Sequence, residues 1–104
     1  MKTVLLAVLG LLAVDPAPAR AGNPTFSGGD GSTEEKAVII KNATEDTGVA
    51  AEYSYLSQHF PGYHMDEQAV MTDKGRSFDL LKITTAKREK KSLYFDITSF
   101  YGKP

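Results

Sequence analysis

Cysteine is absent from all 104 residues. That excludes a disulfide framework, a lipid-anchored cysteine behind a leader, and a thiol nucleophile. Long apolar runs are absent too. The longest, Thr3 to Val14, falls short of the roughly 20 residues that a membrane span needs, and Asp15 with two prolines follows it directly. No G-x-S-x-G, H-E-x-x-H, phosphate-binding loop or paired-glycine cofactor signature occurs. An enzyme is therefore not expected, and no cofactor is implied.

What is present begins with an address. Lys2 supplies a positive n-region, Thr3 to Val14 an apolar h-region and Ala19-Arg20-Ala21 a cleavage site, so residues 1–21 read as a signal peptide cut after Ala21. The expected location is periplasmic or secreted. A cysteine-free small domain suits a Gram-negative periplasm better than a eukaryotic exterior, where such domains are usually stapled. Asn42-Ala43-Thr44 matches the glycosylation tripeptide, which carries no meaning in a bacterial chain.

Charge is unevenly distributed. Gly22 to Thr72 holds two lysines against eight carboxylates, whereas Asp73 to Pro104 holds eight basic residues against four acidic ones. Either the halves attract each other or a partner reads one of them; two solvated faces of one domain would look the same.

Residues 22–35 are rich in Gly, Ser, Pro and Asp with a single aromatic, Phe26, and read as a flexible tether. Residues 36–104 form one domain of about 70 residues, a size at which burial is only modestly favourable, so a homodimer through an edge strand stays open. Lys36 to Lys41 reads as a short buried strand. Thr44 to Thr47 offers N-caps, and Val49, Tyr53, Leu56 and Phe60 recur at helical spacing, with Ala50 beside them, until Pro61-Gly62 stops the helix. Three strands follow, at Met65 to Thr72, Ser77 to Ala86 and Ser92 to Thr98, joined by hairpin-length connectors. The expected fold class is α+β, one helix packed on a four-stranded antiparallel sheet in the order β-α-β-β-β. In the middle strand Phe78 and Leu80 share one face while Leu81 and Ile83 share the other, which requires a bulge or burial on both sides.

Leu93, Phe95 and Ile97 make the last strand the expected core former. In meander order it lies at a sheet edge guarded by Lys90, Lys91 and Lys103, unless Lys36 to Lys41 pairs beside it and buries it. The candidate partner-binding residues are Tyr94, Phe100, Tyr101, Lys90 and Lys91. Basic residues interleaved with aromatics can hold single-stranded nucleic acid, but secretion argues against that, and edge lysines that prevent strand pairing explain them equally. The expected partner is another envelope protein, with no nucleic acid and no membrane span. His59 and His64 straddle the Pro61-Gly62 turn with Asp66 and Glu67 nearby. A small hydrolase or metal protein could be centred there, but exposed turn histidines account for the same residues, and no metal site is expected.

Two resemblances bear on function. Gln68-Ala-Val70-Met-Thr72 is similar to the Gln-x-Val-x-Gly hairpin of cystatins, with Thr72 in place of the glycine and no Pro-Trp pair, since tryptophan is absent. It implies a cystatin-like protease inhibitor as one alternative. More broadly, the helix ending in His59-Phe-Pro-Gly-Tyr63, the turn at Gly75, the strand Phe78 to Ile83 and Tyr94-Phe-Asp96 resemble small periplasmic PepSY-like domains, a group that includes folds like the β-lactamase inhibitor protein repeat. That resemblance covers about Val49 to Thr98. It implies a non-catalytic binding or inhibitory module of the envelope.

Overall fold

Thr44 fixes where the helix begins. In the computed structural model, which describes residues 23–103, its hydroxyl accepts from the Thr47 N–H at 3.3 Å while the Thr47 hydroxyl accepts from the Thr44 N–H at 2.8 Å. This reciprocal cap satisfies backbone donors that a helix start leaves without partners. Glu45 and Asp46 add negative charge to the positive first turn. The leader and its cleavage site lie outside the described residues. Among the described residues no helix is long and apolar enough to cross a membrane.

In chain order the elements are β1 (Thr25–Gly28), β2 (Val38–Lys41), α1 (Glu45–His59), β3 (His64–Asp73), β4 (Arg76–Thr84) and β5 (Lys90–Asp96). They build an α+β fold with a five-stranded sheet ordered β1-β2-β5-β4-β3. β2 runs parallel to β5 and every other neighbouring pair is antiparallel. The sheet is thus mixed and five-stranded, not four-stranded and antiparallel. β3 and β4 are joined by the two-residue turn Lys74-Gly75, both at positive φ, which matches the twist of the flanking strands.

The extra strand comes from the segment expected to be a tether. Thr25–Gly28 pairs with β2, and beyond it Gly29 donates to Ala37 O at 3.1 Å and Gly31 to Lys36 O at 2.7 Å. Backbone ladders, with the Phe26 ring edge-on to Tyr55 at 5.3 Å, order a stretch whose side chains bury little. Gly31 O in turn accepts from Tyr94 N–H at 2.7 Å, which extends pairing along β5 past the end of β2.

β5 is the central strand of the sheet. The expectation of an exposed edge is therefore overturned, and the alternative, in which the first apolar strand pairs beside it, is what occurs. Leu93 and Phe95 are buried on the helix side while Asp96 is buried on the other. Lys90 and Lys91 sit at the hairpin end and guard no edge. β4 resolves its conflicting faces by burial on both: Phe78 on the side away from α1, Leu81 and Ile83 beneath it. The register irregularity falls instead in β3, between Met65 and Glu67.

The helix is rotated from its expected face. Gly48, Ala51, Glu52 and Leu56 point inward, while Tyr53 is 38% exposed. Phe100 explains part of this rotation. The chain after β5 turns back, Ser99 Oγ donates to Ile40 O at 2.7 Å, and the Phe100 ring is laid against Gly48. A β-carbon on Gly48 would approach the ring's Cε atoms to 2.6 Å, so only glycine admits the ring. Gly102 N–H then donates to Glu45 Oε2 at 2.7 Å and clasps the tail to the start of α1.

Candidate partner-binding site

Among the described residues β3 is a ten-residue strand with a neighbour on one side only. Its free side carries a row of backbone donors and acceptors, the feature that invites strand addition. Between Glu67 and Asp73 its side chains are uncharged, Gln68-Ala-Val-Met-Thr72, and all but Met71 are exposed. α1 packs toward β2 and β5, with Tyr55 edge-on to Phe95 at 5.4 Å, and leaves most of Gln68 to Thr72 exposed. Val70 is 49% exposed as a result.

Pairing fixes which side chains share a face. Gln68, Val70 and Thr72 pair with Leu81, Asp79 and Ser77 on the helix side. Glu67, Ala69, Met71 and Asp73 pair with Lys82, Leu80, Phe78 and Arg76 on the other. Tyr53 spans from α1 to β3, its hydroxyl donating to Gln68 Oε1 at 3.0 Å, and with the exposed Val70 on the same face of β3 these side chains make a shelf on the helix side.

Behind this shelf lies a pair of buried carboxyls. Glu52 is wholly buried and Asp79, the register partner of Val70, nearly so. Among the described residues no donor reaches either oxygen of Glu52. Burial, then the hydrogen bond and the charge of Asp79, push the Glu52 carboxyl up to about 10. Glu52 therefore stays protonated at neutral pH beside Asp79. The pair is sealed from solvent, which suits a structural clamp between helix and sheet.

The face away from α1 has its own polar cluster. Arg76 reaches Asp96 at 2.7 Å and lies 5.1 Å over the Phe78 ring. Burial raises the Asp96 carboxyl, but two hydrogen bonds from Thr98 and those from Arg76 outweigh it and hold the group below its ordinary range. Across the β3–β4 turn, Glu34 faces Asp73, and that hydrogen bond raises Glu34. Two ion pairs join the acidic and basic halves of the chain, Lys82 to Glu67 at 3.8 Å and Lys90 to Asp66 at 3.4 Å.

The residues singled out from sequence are not brought together. Phe100 is 2% exposed and offers no surface, which removes it from the candidate set. Tyr94 is half-buried on the face away from α1, paired with Leu80. Tyr101 is exposed beside the start of α1, whereas Lys90 and Lys91 lie near its end, a helix length of about 22 Å away. Lys91 lines a cleft of about 400 Å³ with Asp30, Ser32, Tyr55, His59 and Leu93. The two histidines part company: His59 stacks on Tyr55 at 4.0 Å, and His64 Nε2 lies 3.7 Å from Asp66. Among the described residues no three His, Asp or Glu side chains converge on a metal position. Gln68-Ala-Val70 runs through the middle of β3, ahead of the Lys74-Gly75 turn.

Glu52 and Asp79 went unnoticed in the sequence because carboxylates are ordinarily assigned to the solvent face. One signal was present: Glu52 stands four residues from both Gly48 and Leu56, on the same helix stripe. Comparison with protein-family models, curated proteins and solved structures yields no match to this chain.

Proposed function

We propose that this chain is a small, secreted, non-catalytic module of the bacterial envelope that binds or inhibits another protein by taking one of its strands at the free edge of β3. The observation that carries this reading is the ten-residue edge strand whose centre, Gln68 to Thr72, is uncharged and, but for Met71, exposed. An edge of this kind supplies main-chain hydrogen bonds for affinity, and the adjacent side chains supply specificity. The resemblance of Val49 to Thr98 to PepSY-like domains supports a binding role over a catalytic one.

Val70→Lys tests it. Val70 is exposed, so a lysine is tolerated there and sets a charge on the edge in the way natural sheets discourage pairing. A partner protein from a periplasmic extract should be retained by the native chain and lost by Val70→Lys. Equal retention by both, or recovery of a small molecule with no protein, would refute the reading.

A further inference from the structure

Resting on the reading of β3 as the docking edge, we propose that the incoming strand carries two basic side chains six residues apart on its face away from α1, with an apolar centre between them. Glu67 and Asp73 stand at the two ends of that face of β3, and Ala69 and Met71 lie between. On the helix side the same strand meets Val70 and the Tyr53 ring. Side chains directly opposite across a strand pair set its preference, so acid at both ends asks for base at both ends.

The cations of this chain leave that demand unmet. Lys82 meets Glu67 only at 3.8 Å with both side chains about half exposed, and exposed pairs of this kind contribute roughly 0–1 kcal/mol. Arg76, opposite Asp73, is committed to Asp96 at 2.7 Å. Asp73 instead faces the carboxyl of Glu34, which binds its proton more tightly for it even with Lys74 nearby. A lysine or arginine arriving there replaces an acid–acid contact with an ion pair. A second copy of this chain meets the opposite situation. β3 holds no lysine or arginine, so the same strand of a second copy supplies neither base, and parallel pairing in register sets each acid beside its twin. The occupant is thus a different protein, contributing an extended segment of seven residues that spans about 20 Å.

The test uses the isotopically labelled protein and three capped peptides: Lys-Thr-Val-Tyr-Val-Thr-Lys, the same with glutamate at both ends, and the basic form with proline at its centre, which cannot complete a ladder. The basic peptide should shift and protect backbone amides of Gln68 to Thr72. The acidic and proline forms should bind at least tenfold more weakly, and Glu67→Gln with Asp73→Asn should weaken the basic peptide by a similar factor. Equal binding of basic and acidic forms at β3 would overturn the charge rule while leaving edge docking intact. No change at β3 with any peptide at millimolar concentration would count against the edge itself. A concentration-dependent dimer with protected β3 amides would put a second copy there and overturn the proposal.

Discussion

Glu52 is the residue on which the helix–sheet contact turns, because a carboxyl in that position is compatible with the fold only while it keeps its proton. Its native affinity for the proton lies far above the ordinary 4.5, so the folded state holds a proton that the unfolded chain releases once the pH exceeds about 4.5. Stability then falls as pH rises, by about 1.4 kcal/mol per pH unit, or about 3 kcal/mol between pH 4.5 and 7. Glu52→Gln keeps the shape and a donor toward Asp79 without the proton. It should therefore raise the urea midpoint at pH 8 and leave it nearly unchanged at pH 4.5, whereas a midpoint lowered at pH 8 would mean that Glu52 is not the proton holder. Gly48 gives a second residue-scale expectation. Alanine normally improves a helix interior by about 1 kcal/mol over glycine, but here its methyl displaces the Phe100 ring, and overpacking costs about 1–3 kcal/mol. Gly48→Ala should lower the melting temperature, and combining it with Phe100→Leu should recover part of the loss.

At the scale of elements, β5 is central where meander order alone sets it at an edge, because β2 pairs beside it. It carries the core residues Leu93 and Phe95, and the strand with three carboxylates is at the edge. Removing the Thr44 cap by Thr44→Ala should cost about 1 kcal/mol, measured by denaturant unfolding, without altering partner retention, since the cap lies away from β3. Much of this level was legible beforehand. Pro61-Gly62 and the hydroxyl at Thr44 bound the helix, and the spacing of β4 required a bulge or burial on both faces, of which the second occurs. β1 was not legible, because Thr25–Gly28 is ordered by backbone pairing that composition does not record. Strand order was not legible either, since the parallel pairing of β2 with β5 joins residues more than fifty positions apart. The helix face was misread for a third reason. The stripe through Val49 and Tyr53 is as apolar as the true one, and Glu52 counts as apolar only when protonated.

For the whole molecule the acids act in opposite directions. Glu52 costs stability as pH rises above about 4.5, whereas Asp96, held low by Thr98 and Arg76, contributes stability above its unfolded value near 3.8 that is lost as pH falls. The stability maximum should consequently lie near pH 4–5, more acidic than the usual range of about 5–8. Urea midpoints between pH 3 and 9 would show it, with Glu52→Gln flattening the alkaline side and Asp96→Asn the acid side. The same molecule offers one long strand edge to its surroundings, and that edge is where the account places its function. The most direct measurement is backbone hydrogen exchange of the protein alone and in complex with the partner retained from a periplasmic extract. The account predicts that amides of Gln68 to Thr72 slow on binding more than those around Tyr101 or the Lys87–Lys90 hairpin. Protection confined to the Lys91 and His59 cleft, or to the C-terminal tail, with β3 unchanged, would contradict it.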